Sequence, residues 1–135
     1  MYKSIIISTL LLFQITSGPT ALAETGIDAG KSHALFRQAM ANLLGIKGQQ
    51  KSSKLAFQKF EVLAQQGWKT AQHMLGNMYY KGEGTNQDSI KAYLWYSLAA
   101  KQDFSIAQEK VVFLRQTLEK EKIHEAELLI SDWKS

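Results

Sequence analysis

The feature that most restricts this chain is that it repeats itself. A shift of 36 residues sets Ala56-Phe57 on Ala92-Tyr93, Phe60 on Tyr96, Ala64 on Ala100, Gln66 on Gln102 and Ala71-Gln72 on Ala107-Gln108. The same shift backwards sets Gly48 under Gly84. A helix-length period that recurs three times with degraded outer copies marks helical hairpins stacked in a row, since one hairpin cannot bury its apolar face alone and the end units are atypical because they cap the stack.

In the middle copy the apolar spacing is helical on both sides of a glycine loop. Ala71, Met74, Leu75, Met78 and Tyr79 share one helical face, and Ala92, Trp95, Tyr96, Ala99 and Ala100 share another. Between them, Gly82 or Gly84 can take the left-handed conformation that ends a helix, and Asn86 or Asp88 can accept from the first free amides of the next. Gly67 has the same stopping role after Gln66, and Asp103 holds that place one repeat later. The pattern predicts an all-α fold, a short α-solenoid of about three antiparallel helical hairpins. Its six helices span about 31–45, 51–66, 69–81, 87–101, 105–117 and 120–133. Small residues at Gly76, Ala92 and Ala99 fall where helices approach each other.

The stretch from Ala71 to Asp103, AQHMLGNMYYKGEGTNQDSIKAYLWYSLAAKQD, closely resembles the Sel-1-like repeat, a relative of the tetratricopeptide repeat. The residues that carry the resemblance are Leu75-Gly76, Tyr79, Gly82 and Gly84, Asp88, Ala92, Trp95-Tyr96 and Ala99-Ala100. It extends more weakly over Ser53 to Gln72, and Glu119 to Trp133 resembles the closing helix of bacterial arrays of this kind. Residues 31–66 are thus a degenerate repeat, 67–103 the best-matching one and 104–135 a capping hairpin. What the resemblance implies is an adaptor that presents a groove to partner proteins, with no cofactor. Many exported members carry a cysteine pair in each repeat, and some of those bind or weakly hydrolyse β-lactams. This chain has no cysteine, so a cell-wall enzyme or β-lactam-binding protein stands as the weaker alternative.

The N-terminal segment has the layout of a secretory signal peptide. Lys3 precedes an apolar run from Ile5 to Ile15, and Ala21-Leu22-Ala23 offers a small-residue cleavage site after Ala23. A run of about 11 residues is short of the roughly 20 that a spanning helix needs, so no stable membrane anchor is expected after signal removal. Residues 24–30 read as a flexible leader, and residues 31–135 as the repeat domain. The product is expected to be periplasmic or secreted, and monomeric. Its 15 Lys plus Arg against 12 Asp plus Glu give a net charge of +3 with interspersed signs, which suits solubility and does not point to nucleic acid. The charges from Glu119 to Glu127 read as a solvated helix face.

Nothing in the sequence assembles a catalytic or metal centre. His33, His73 and His124 lie 40 and 51 residues apart, without the i+4 partner of a zinc site. No serine sits in a nucleophile elbow or a Ser-x-x-Lys pattern. Gly82-x-Gly84 has no following Lys-Ser/Thr to cradle phosphate. At 100° per residue, however, His73, Asn77 and Tyr80 fall opposite the Ala71-Leu75-Met78 face. The 36-residue shift adds Arg37, Ala41 and Leu44 before them and Glu109, Phe113 and Gln116 after. If successive first helices line one wall, these positions form a partner-binding strip with Tyr80 and Phe113 as anchors.

The function expected is therefore an exported protein–protein interaction scaffold that binds a partner in the envelope or outside the cell. One specific use, by analogy with exported relatives, is an immunity-like inhibitor of a toxic effector. The signal layout sets the first test: the intact mass of the exported protein should correspond to a chain beginning at Glu24, and retention of residues 1–23 would overturn both cleavage and location.

Overall fold

The structure, a computed structural model, describes residues 28–133. The signal segment 1–23 and most of the leader lie outside the described residues. Six helices follow in order: α1 (Ala29–Leu44), α2 (Ser53–Gln65), α3 (Lys69–Lys81), α4 (Ser89–Ala100), α5 (Ser105–Thr117) and α6 (Lys120–Ser131). There is no strand among the described residues. Ala29 and Gly30, assigned to the leader by sequence, already form the first turn of α1, with Ser32 N donating to the Asp28 carbonyl at 2.9 Å.

Local chemistry sets the boundaries. Asp88 caps α4 by accepting from Lys91 N at 3.0 Å, and Ser52 caps α2 by accepting from Leu55 N at 3.2 Å. Gly82 ends α3 in the left-handed region at φ 67. Gly84, at φ 75, is required twice over, because a Cβ there would stand 2.3 Å from the Ser53 carbonyl oxygen where the α3–α4 loop rests on the start of α2. Asp103 occupies its glycine-like position at φ 58, a conformation that aspartate tolerates better than most residues.

α1 packs on α2, α2 on α3, and α3 on α4. The last two helices depart from the expected capping hairpin: each makes its main contacts with α4, not with the other. α4 is consequently enclosed, and every residue from Ala92 to Ala99 is buried, as a helix must be when it is apolar all round. Trp133 closes one end of this arrangement with its ring edge-on to Trp95 at 4.9 Å.

The core also shows what its small residues do. The Tyr96 ring lies so close to Gly76 that a Cβ there would be 2.7 Å from two ring carbons. Its hydroxyl donates to Asn77 Oδ1 at 2.7 Å, which fixes the ring from the far end. Ala92 and Ala99 are fully buried. Gly76→Ala should therefore lower the melting temperature, although alanine favours a helix interior by about 1 kcal/mol over glycine. Ala92→Leu should overpack the same hairpin and cost about 1–3 kcal/mol. An unchanged melting temperature for either variant would show that the α3–α4 contact tolerates added volume.

Candidate functional site

The wall between α3 and α5 is built outward from Tyr96. This phenol is 1% exposed, and burial pushes its pKa well above the ordinary range. On one side of it lies His73, whose ring centroid is 5.7 Å from that of Tyr96 and 5.4 Å from that of Phe104. On the other side opens a pocket of about 160 Å³ lined by Tyr80, Tyr96, Lys110, Phe113 and Leu114. Tyr80 and Phe113 meet edge to face over it, their centroids 6.3 Å apart at 79°. They remain 37% and 47% exposed although they are already placed against each other.

The residues of the predicted strip thus divide into groups. Tyr80 and Phe113 come together. Asn77 and His73 reach the same region but are built into its floor, Asn77 by holding the Tyr96 hydroxyl and His73 by packing between two rings. Glu109 and Gln116 are exposed on α5. Leu44 is 54% exposed near the end of α1. Arg37 lines a separate pocket with Lys47 and Gln49. Ala41 departs from the expectation, being 4% exposed. The reason is the first loop, which folds back over this turn: Ser52 N donates to the Asn42 carbonyl at 2.8 Å and Asn42 Nδ2 to the Gln50 carbonyl at 3.1 Å.

Two features were not read from the sequence. Lys110 stands at the pocket and is the one cation lining it; its position one repeat after Met74 gave no hint of this. A larger pocket of about 450 Å³ opens between α4, α5 and α6, where Arg115 Nη2 donates to the Tyr93 hydroxyl at 2.7 Å and to Glu127 Oε1 at 3.0 Å. Glu127 is thus an ion-pair partner as well as part of a solvated face. The available signal was the tyrosine in the middle of an apolar helix, since a buried phenol needs a partner for its hydroxyl.

His73 is the only histidine drawn into this packing. Its Nε2 is buried without a hydrogen-bond partner. Burial first, and then the Lys110 ammonium, hold its pKa below 6.5. No group of three His, Asp or Glu among the described residues is placed to hold a metal ion. The lowered pKa makes stability depend on pH in a definite direction. Above 6.5 both folded and unfolded states carry neutral imidazole and the contribution is complete; as pH falls below that value the unfolded chain takes up the proton first and stability is lost. Melts from about pH 7.5 down to about pH 5 should show this loss, and His73→Gln should flatten it. An equally steep curve for the variant would assign the effect to other groups.

Comparison with known proteins agrees with this architecture. The Sel1 repeat model matches residues 69–104. Among solved structures, a protective antigen present in uropathogenic Escherichia coli strains and displaying an SLR fold is similar with a TM-score of 0.71 at 30% identity, over 77% of this chain and 22% of that one. A Sel1 repeat protein from Oxalobacter formigenes is similar with a TM-score of 0.61 at 30% identity, over 70% of this chain and 39% of that one. The chain therefore spans well under half the length of either. No curated protein matches the sequence. With a Sel1 repeat in its middle hairpin and the helical stacking of these structures around it, the chain is a Sel1-like repeat protein.

Proposed function

We propose that the protein is an interaction scaffold that holds a partner protein against the wall formed by α3 and α5. The observation that carries this reading is the pair of half-exposed rings, Tyr80 and Phe113, set edge to face over an open pocket. Rigid aromatic side chains lose little entropy on binding and supply a large share of interface energy. Here they are held by the Tyr96–Asn77 hydrogen bond beneath them, so the surface is formed before the partner arrives. Lys110 at the rim favours a partner that brings a carboxylate beside its apolar anchor.

The His73 imidazole belongs to the packing of this wall, with its Nε2 buried and without a hydrogen-bond partner. The Sel1 repeat is in general a platform for protein–protein contact, and a protein partner is the reading that its presence supports. Export to the periplasm or beyond rests on the layout of residues 1–23, and an immunity-like role against a toxic effector is the specific use we infer within that setting.

Affinity capture from envelope extract, followed by mass spectrometry, identifies the partner, and the double variant Tyr80→Ala/Phe113→Ala tests the surface. Loss of an anchor costs an interface roughly 2 kcal/mol or more, whereas losing the edge-to-face pair costs the fold about 1 kcal/mol. Capture should therefore disappear while helical circular dichroism is retained. Unimpaired capture by the folded double variant would move the site off this wall.

A further inference from the structure

The pocket between α4, α5 and α6 occupies a place that the preceding copy of the repeat fills with rings. The 36-residue shift sets Phe57 on Tyr93, Leu75 on Val111, Tyr79 on Arg115 and Lys91 on Glu127. In the earlier copy Leu75 is fully buried, the Phe57 and Tyr79 rings meet edge to face with centroids 5.3 Å apart, and Lys91 Nζ stands 5.4 Å from the Tyr79 ring centroid. In the later copy a shorter valine is only half-buried and an arginine replaces the second ring. The volume left is about 450 Å³, within the roughly 300–1,000 Å³ of small-molecule sites. The polar groups change as well. Gln65 gives way to Lys101 and Glu61 to Ser97, so these positions go from one acid and one base to two bases and one acid. Arg115 commits Nε and Nη2 to the Tyr93 hydroxyl and Glu127, while Nη1 donates to nothing among the described residues. Lys101 Nζ forms no ion pair among them. Ser97, on the pocket wall, is 9% exposed, and its Oγ is buried without a hydrogen-bond partner, an arrangement that lowers stability until an acceptor or donor meets it.

We propose that this pocket binds a carboxylate carried on a short apolar body. Arg115 Nη1 and the Lys101 ammonium receive the carboxylate, a planar anion that the guanidinium fork matches in geometry. Ala100, Val111 and Ile130 supply the apolar wall, and the Ser97 hydroxyl gains an acceptor. The charge of Glu127 is offset within the site, because its Oε1 already accepts from Arg115 Nη2 at 3.0 Å. The Tyr93 hydroxyl accepts from the same nitrogen at 2.7 Å, so the guanidinium is held in place before a ligand arrives. The carboxylate belongs either to a small free acid or to the end of a peptide, and the recognising groups are the same for both. At 100° per residue, Phe113 falls about 160° from Val111 and Arg115 around α5. The site is therefore separate from the α3–α5 wall and stands or falls apart from it.

NMR titration of the isotope-labelled protein with N-acetyl-leucine provides the test. The backbone amide signals of Ser97, Lys101 and Val111 should shift saturably, with a Kd on the order of 1 mM or below. N-acetyl-leucine amide, which lacks the charge, should bind at least about tenfold more weakly. Arg115→Gln and, separately, Lys101→Gln should each weaken binding of the acid by about tenfold. Lys101 is exposed and its ammonium forms no ion pair among the described residues, so its variant keeps the fold even if Arg115→Gln loosens Tyr93. Val111→Leu restores the residue of the preceding copy, fills the pocket without altering charge, and should abolish the shifts. A peptide ending in leucine with a free carboxylate separates the two sources: tighter binding than N-acetyl-leucine assigns the site to chain ends and equal binding assigns it to small acids, both in keeping with the proposal. No saturable shift at these residues, equal affinity for acid and amide, or undiminished binding by Lys101→Gln and Val111→Leu would each overturn it.

Discussion

The domain depends on how closely α3 and α4 can approach, and that is set by Tyr96 lying on Gly76. A ring laid against a bare backbone leaves no room for the Cβ that any other residue would carry there, and dispersion between well-packed atoms grows steeply as gaps close. The Asn77 amide oxygen completes the arrangement by satisfying the one polar group the ring brings into the interior. An unmet hydroxyl there would cost about 1–3 kcal/mol. The same contact that tightens the hairpin therefore also fixes the rotation of α3, and with it the direction in which Tyr80 points.

That coupling explains why the wall and the core cannot be separated by residue type. His73, Asn77 and Tyr80 follow each other along one side of α3, yet the first two hold the floor and only the third rises from it. Across the pocket, Leu114 is 2% exposed and anchors α5 while Phe113 beside it is 47% exposed. The ring pair is thus carried by neighbours that are themselves locked, which is the condition for a binding surface that needs no rearrangement.

Much of this was legible in the sequence because repetition and helix chemistry are local. The 36-residue period located the hairpins, and caps such as Asp88 and Gly82 placed boundaries within about two residues of those observed. That Tyr80 and Phe113 lie in one strip was expected from adding one period to one helical face; their ring contact was not. What escaped were contacts that no period encodes. Ala41 is covered by a loop whose path depends on Asn42 meeting Ser52 and Gln50. Arg115 and Glu127 are drawn to Tyr93 from two different helices. The α5–α6 pair breaks the hairpin rule, each helix making its main contacts with α4. Overall composition, for its part, hid the difference in charge between residues 28–81 and residues 82–133.

The burial of α4 from Ala92 to Ala99 has a consequence for the order in which the chain is made. Synthesis runs from the N-terminus, so α4 exists before the two helices that cover it. Until α5 and α6 have followed, a run of aromatic and leucine side chains from Tyr93 to Leu98 has only α3 to shelter against. Exposed surface of this kind is what drives partly made chains to aggregate and what chaperones hold. α5 and α6, sparse in motifs, are thus the helices that complete the cover of α4.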